Sequence, residues 1–479
     1  MVIKDAKKIK FGNQISIWDK GAKQLKYEEF LKSKETEFKS SGFEVNRDLL
    51  NDNLYDFQKD IVKWSLRKGR AAIFADCGLG KTLMQLEWAS HVSKQTNGNV
   101  LILAPLAVTE QTKREGIKFG IDINICESQE NIVPGINITN YEKLDRFDTK
   151  KFNGIVLDES SILKSFTGKV RTLIINKFKD TPYKLACTAT PAPNDYMELG
   201  NHAEFLGVMT RNEMLSMYFV HDGGNTSKWR LKGHAENIFW EWMSSWSVLI
   251  TNPIDLGYQD GGYSLPRLKV NEIIVDGDKP IEKSLTLTER RNARKESLED
   301  RCKAAAEFVN NSDEQWLVWC NLNAESDLLH KLIHESVEVK GSDKSNHKTT
   351  SSVEFSEGNI KCLVSKPLIF GMGLNFQKCH NMIFVGLSDS YEQYYQAIRR
   401  CWRFGQEHEV NVYIIISSKE GCVKDNINRK ENDAHKMQEK MIEFTKNIRS
   451  KDTESTHRLI APYNANMDML LPKWEEFIA

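Results

Sequence analysis

Residues 71–82 read Ala-Ala-Ile-Phe-Ala-Asp-Cys-Gly-Leu-Gly-Lys-Thr, and the segment behind them, Leu-Met-Gln-Leu-Glu-Trp-Ala-Ser-His-Val, has the make-up of a helix. An apolar run, a glycine-rich turn, a Lys-Thr pair and a helix form the context a phosphate-binding loop requires. Backbone N–H groups around Gly78–Lys81, with a helix N-terminus behind them, can wrap a β-phosphate. Lys81 then neutralises the β/γ oxygens, and the Thr82 hydroxyl ligates Mg²⁺. Ala75 stands where the usual G-x-x-x-x-G-K-[ST] pattern opens on glycine. A G-x-G-K-T placed after a strand is nonetheless far more often a phosphate loop than a structural turn. Cys77, Gly78, Leu79, Gly80, Lys81, Thr82 and Leu83 are therefore the expected ATP-binding residues.

Outward from this loop the same texture repeats. Apolar runs at Ala71–Ala75, Val100–Ala104, Ile155–Asp158 and Leu185–Thr190 form a first set. Trp316–Cys320, Ile360–Ser365, Met382–Gly386 and Val410–Ile416 form a second. Short β-rich runs alternating with helix-like segments read as βαβ units and parallel sheets, so the fold class is α/β with two lobes. The expected division is an N-terminal appendage over 1–50, a first lobe over 51–200, a connector over 201–276, a second lobe over 277–425 and a charged helical tail over 426–479. The connector carries a tryptophan cluster, Trp229, Trp240, Trp242 and Trp246. These are read as local packing, because tryptophan is mostly buried in folded proteins; a DNA-contacting aromatic surface is the other reading. The tail is read as a solvated face.

Three further motifs sit where a nucleotide would need them. Ile155–Asp158 is an apolar run ending in Asp158-Glu159. At a strand's C-terminal edge, where α/β sheets place ligands, Asp158 can hold Mg²⁺ and Glu159 can act as general base on a water. Leu185–Pro191 (LACTATP) ends another strand, and Thr188 and Thr190 can link the Asp158–Glu159 strand to nucleic acid. In the second set, Gln396–Gln406 (QAIRRCWRFGQ) places Arg400 and Arg403 three apart, one face of a helix if the run is helical. Two such charges aimed at a γ-phosphate stabilise the transition state. Upstream, Phe57-Gln58 can stack on and hydrogen-bond to adenine, although Phe57 could equally be core.

Composition narrows the classes. Over 479 residues, 66 Lys+Arg balance 66 Asp+Glu, which excludes a histone-like polycation but not a local basic groove. With 40% hydrophobic and 28% charged residues the chain is a folded globular protein, not a disordered one. No apolar stretch is long enough to span a bilayer, and MVIKDAKKIK has no signal-like apolar core. Nine cysteines without a C-x-x-C fit reduced thiols in the cytoplasm better than disulfides or zinc. His330 and His334 lack the glutamate of a zinc helix and read as a solvated face, and Cys379-His380 as a turn.

The ordered set L-x-x-F-Q (54–58), G-L-G-K-T, A-P-L-A-V-T-E-Q (104–111), T-N-Y-E (139–142), D-E-S-S, T-A-T-P, G-x-G-L-N (371–375) and Q-A-I-R-R-C-W-R-F-G-Q resembles the motifs of superfamily 2 helicases and translocases, and more narrowly Swi/Snf-like ATPases. The resemblance covers about residues 54–416. The wording of residues 386–406 is most similar to small bacteriophage and prophage members. The resemblance implies two RecA-like lobes with ATP between them and nucleic acid across both. It implies Gln58 as the adenine reader, Lys81 and Thr82 on phosphate and magnesium, Asp158–Glu159 as the magnesium and water-activating pair, and Arg400 and Arg403 as fingers. Pro105, Thr139, Tyr141, Gly371, Gly373 and Asn375 fall at positions that face the nucleic-acid backbone. ATP and Mg²⁺ are the implied cofactors. Duplex or branched DNA is the implied partner, in replication or recombination in the bacterial host cytoplasm. A strand-separating DNA or RNA helicase and an ATP-switched replication factor are the alternatives. Three departures stand out: D-E-S-S replaces the common D-E-A-H or D-E-G-H, Trp402 stands where histidine is common, and in place of the remodellers' connector Arg-Arg-x-Lys segment Leu265-Pro266-Arg267-Leu268 keeps only the Leu-Pro part.

Overall fold

The computed structural model describes residues 38–39, 41–106, 108–222, 225–276, 287–370, 375–445 and 455–456. Most of the expected N-terminal appendage, the end of the tail, Gly371 and Gly373 lie outside the described residues. The first sheet is all parallel and contains, in chain order, β1 (Arg70–Ala75), β2 (Asn99–Ala104), β3 (Ile123–Ile125), β4 (Ile136–Asn140), β5 (Phe152–Asp158), β6 (Tyr183–Cys187) and β7 (Ser247–Ile250). Across the sheet they run β7-β1-β6-β5-β2-β4-β3. A second parallel sheet holds β8 (Leu268–Ile274), β9 (Trp316–Cys320), β10 (Ser336–Val339), β11 (Cys362–Ser365), β12 (Asn381–Val385) and β13 (Val410–Ile416), ordered β8-β13-β12-β9-β11-β10. Helices cover both sheets, giving two RecA-like lobes. Their central strands are buried nearly end to end, which is why they read as unbroken apolar runs.

All eight expected strands are present, and five more join them. β4 is buried along its length despite Asn137, because that amide is satisfied: it donates to the Val133 carbonyl and accepts from the Val133 N–H and the Asn124 amide. The stretch 201–276 divides between the lobes. Helices Leu199–Leu206, Arg211–Tyr218 and Glu236–Trp246 pack into the first lobe's core, β7 pairs with β1, and β8 pairs with β13. The first covalent crossing is thus residues 251–267. Trp240, Trp242 and Trp246 are fully buried, which answers the tryptophan question in favour of packing.

The tail is different from its expected solvated face. A single helix, Gly421–Thr445, inserts Val423, Ile427 and Ala434 into the second lobe's core and Met437 and Met441 into the first lobe's. The Tyr196 hydroxyl donates to the Asp433 carbonyl at 2.8 Å, fastening the helix to the first lobe. The apolar spacing of these five residues is helical, so one face is buried while the charged residues occupy the other. Among the described residues, no helix is long and apolar enough to cross a membrane.

Candidate active site

Three neighbouring strands build the first lobe's share of the site. β1, β6 and β5 are adjacent, with Ile73 paired to Cys187 and Cys187 to Asp158. In this register the residues just beyond each strand, Asp76–Lys81, Thr188 and Glu159, emerge at one edge. The loop after β1 turns on Gly78 (φ 91°) and Gly80 (φ 77°), conformations open mainly to glycine. Space demands glycine as well: a Cβ at Gly80 would lie 2.2 Å from Gln58 Nε2. The helix Lys81–Thr96 begins immediately. Lys81 Nζ donates to the Ala75 carbonyl at 2.7 Å and the Asp76 carbonyl at 3.2 Å, poised at the mouth of the loop. Leu79 and Leu83 turn their side chains into the core, so only their backbone can meet a ligand.

Gln58 braces this loop. It is buried, its amide donates to the Leu79 carbonyl at 2.9 Å, and its oxygen accepts from the Tyr55 N–H at 2.8 Å. Phe57 is 3% exposed and packs edge-on against Tyr263, as the core reading of this residue expects. The exposed aromatic at that corner is Tyr55.

Glu159 adopts φ 54°, ψ 55°, a left-handed conformation that a non-glycine residue holds only where its surroundings over-determine it. Two contacts do so. The Tyr141 hydroxyl donates to the Asp158 carbonyl at 2.6 Å, and the Thr188 hydroxyl donates to Glu159 Oε2 at 3.3 Å. Burial first, and the neighbouring Glu159 second, push the Asp158 carboxyl up to about 7, with a hydrogen bond from Gln85 and then the Lys81 charge opposing. Two carboxyls crowded at one strand end suit a divalent cation, whose charge would hold both ionised. Asp158 and the Thr82 hydroxyl are the groups that could hold it.

Several of the expected nucleic-acid contacts have buried side chains. Tyr141 and Thr139 are buried, because the Tyr141 ring belongs to the first lobe's core and Thr139 lies inside β4. Thr188 and Thr190 are also buried, and the Thr188 hydroxyl in addition accepts from the Thr190 N–H at 3.2 Å. Pro105, beside the exposed Leu106, and Asn375 do reach the surface. The Asp-Glu-Ser-Ser motif has a partner that the sequence did not indicate. Ser160 Oγ lies 3.1 Å from Nε2 of His202, a fully buried residue whose pKa burial pushes down to about 4, leaving a neutral imidazole.

The second lobe closes the site. Its helix Tyr391–Ile398 ends before the arginines, so Arg400 and Arg403 do not share a helical face. They lie on a compact turn that Gly405 (φ 87°) closes. The turn still brings them to the first lobe. Arg400 is 4% exposed, its Nε donates to the Gln396 carbonyl at 2.9 Å, and burial lowers its pKa against the pull of Cys77 and Glu159. Burial and Arg400 lower Arg403 to about 10, with Cys77 opposing. Phe404 stacks on Tyr263 with ring centroids 4.4 Å apart, and its Cβ would be 3.2 Å from a Cβ at Gly78. Arg399, which spacing did not single out, reaches the loop directly: its Nη2 donates to the Cys77 carbonyl at 2.8 Å and pairs with Asp76 at 2.8 Å.

Such a cleft, with a phosphate loop and carboxylate pair on one α/β lobe and buried arginines on the other, is the arrangement of a helicase-type ATPase. The family models agree in both lobes. Residues 43–193 match the type III restriction enzyme res subunit family, and residues 300–405 match the helicase conserved C-terminal domain. Each lobe thus matches a family model of its own, the first a restriction-enzyme res subunit and the second a helicase C-terminal domain. Among solved structures, a fragment assigned as the HsdR subunit of a type I restriction enzyme from Vibrio vulnificus YJ016 shares the fold. It matches at 16% identity over 80% of this chain and 68% of that one, with a TM-score of 0.52. The SWI2/SNF2 ATPase core of Sulfolobus solfataricus in complex with dsDNA matches at 18% identity over 83% of this chain and 97% of that one, with a TM-score of 0.39. No curated protein matches the chain.

Proposed function

We propose that the protein is an ATP-driven translocase of the Swi/Snf-like kind, moving along or remodelling duplex or branched DNA. The observation that carries this reading is the meeting of Lys81, the Asp158–Glu159 pair and Arg400 at one cleft between two lobes. ATP phosphates lie against the Gly78–Lys81 N–H groups, and Lys81 moves from its loop carbonyls to the β/γ oxygens. Glu159 accepts a proton as water attacks the γ-phosphorus, the bond to the β-phosphate oxygen breaks, and Arg400 and Arg403 stabilise the charge that develops. Mg²⁺, when bound by Thr82 and Asp158, supplies neutralising charge beside the phosphates. Thr188, bonded to Glu159, carries the state of the site toward the DNA face, where Pro105 and Asn375 meet the backbone. Grip through phosphates is sequence-independent and salt-sensitive.

The likeness of residues 386–406 to phage motors favours a role in phage replication or recombination. The test is ATP hydrolysis without nucleic acid and then with single-stranded, duplex, forked and four-way DNA and RNA, with Lys81→Ala as control. Strong stimulation by duplex or branched DNA, lost in the variant, is expected. Stimulation mainly by single strands or RNA would overturn the substrate assignment.

A further inference from the structure

The interlobe contacts centre on a charge pair that the hydrolytic mechanism does not use. Arg399, 4% exposed at its side chain, pairs with Asp76 of the phosphate loop, itself 12% exposed, and also donates to the Cys77 carbonyl. The Tyr395 hydroxyl, one helical turn earlier, donates to the other Asp76 oxygen. The guanidinium lies over the Trp402 ring, 5.0 Å from its centroid, and the Trp402 Nε1 donates to the Pro266 carbonyl at 2.7 Å. Trp402, the residue that departs from histidine, thus pins Arg399 to the crossing segment. On Asp76, the same Oδ1 accepts from the Cys77 N–H at 2.6 Å, so the carboxylate ties the loop's own shape to the second lobe. A second pair, Lys164 of the first lobe with Glu392 at the start of the same helix, lies alongside.

We propose that Arg399, Tyr395 and Asp76 form an interlobe latch that favours the closed cleft, and so positions Arg400 and Arg403 over the phosphate loop. Arg399 and Tyr395 are positioning residues in this scheme, which rests on the reading of the loop as the ATP site. Opening the cleft would break the Arg399–Asp76 pair, the Tyr395–Asp76 bond and the Arg399–Cys77 bond together, while rehydration of the freed charges offsets part of that cost. Burial opposes the Arg399 charge, but Asp76 and Tyr395 outweigh it and keep the guanidinium above its ordinary pKa. A cleft already closed spares ATP the cost of closing it, and apparent affinity scales with the closed fraction.

The test has two readouts. Small-angle X-ray scattering of the full chain without nucleotide should give a larger radius of gyration for Arg399→Gln than for wild type, reversed by a non-hydrolysable ATP analogue. In steady-state hydrolysis Arg399→Gln should raise KM for ATP by about tenfold or more while kcat is held. Tyr395→Phe, which removes one hydroxyl and keeps the ring, should move KM the same way by less. Asp76→Asn combined with Arg399→Gln should add little to Arg399→Gln alone, because both remove one pair. Identical scattering for wild type and Arg399→Gln would overturn the latch. So would a loss of kcat at unchanged KM, which marks a transition-state arginine, or additive effects in the double variant. The scattering difference needs no hydrolysis, so failure of the ATPase reading and failure of the latch are separate results.

Discussion

Tyr141→Phe separates two accounts of one residue. The ring is buried among the first lobe's core side chains, so phenylalanine fills the same space and the fold survives. What is lost is the 2.6 Å bond to the Asp158 carbonyl. A buried acceptor stripped of its partner costs about 1–3 kcal/mol, and a modest fall in melting temperature follows. The larger consequence is geometric. That carbonyl belongs to the peptide that leads into Glu159, which is held at φ 54°. Without the hydroxyl, Glu159 is free to relax toward an ordinary conformation, taking its carboxylate away from the attacking water. Small misplacements of catalytic groups cost up to roughly 100-fold in rate, so a fall in kcat of about tenfold or more is expected. DNA affinity should not change, because the hydroxyl faces inward. The assay is DNA-stimulated ATP hydrolysis beside fluorescence anisotropy with labelled duplex. An unchanged kcat with weakened, less salt-dependent DNA binding would refute the reasoning and return Tyr141 to the nucleic-acid backbone.

Three other outcomes follow from named contacts. Gly80→Ala forces a Cβ to within 2.2 Å of Gln58 Nε2 at φ 77°, so it should displace Gln58, weaken ATP binding at least about tenfold and lower stability by about 1–3 kcal/mol; a titration with a fluorescent ATP analogue checks it. His202, held neutral with a pKa near 4 against an ordinary value of 6.5, takes up its proton more readily when unfolded. Its contribution is present above pH 6.5 and is lost as pH falls toward 4, by about 3 kcal/mol in all. Denaturant titrations of wild type and His202→Gln should therefore show a difference in stability that narrows across that window. Met441→Lys puts a charge into the first lobe's core and should free the end of the C-terminal helix, lowering the melting temperature and raising protease cleavage near residue 441.

The sequence exposes those parts of the molecule where one physical demand dominates. Central parallel strands must be apolar throughout, so β1, β2, β5, β6, β9, β11, β12 and β13 stand out in the chain. The phosphate loop needs glycine for φ and for space, and its spacing shows it. Edge strands such as β8 (LKVNEII) and β10 (SVEV) carry interleaved polar residues and give no such signal. Burial of Tyr141, Thr139 and Phe57 depends on which face packs against which neighbour, information that motif position does not contain. Arg399 is hidden because nothing in a run of arginines says which one meets an aspartate in the other lobe. The C-terminal helix was legible in principle, since Val423, Ile427, Ala434, Met437 and Met441 repeat at helical spacing beneath a heavily charged surface. His202 lies far from Ser160 in the chain, and only the fold brings them together.

The central claim is that one hydrolytic site is assembled from both lobes. Single-turnover release of phosphate by Arg400→Ala, measured at saturating ATP and duplex DNA, tests it most directly. The expected result is a loss of about 1,000-fold or more in rate with ATP still bound, the effect of removing an arginine finger. Hydrolysis at the wild-type rate would place the chemistry within the first lobe alone and contradict the account.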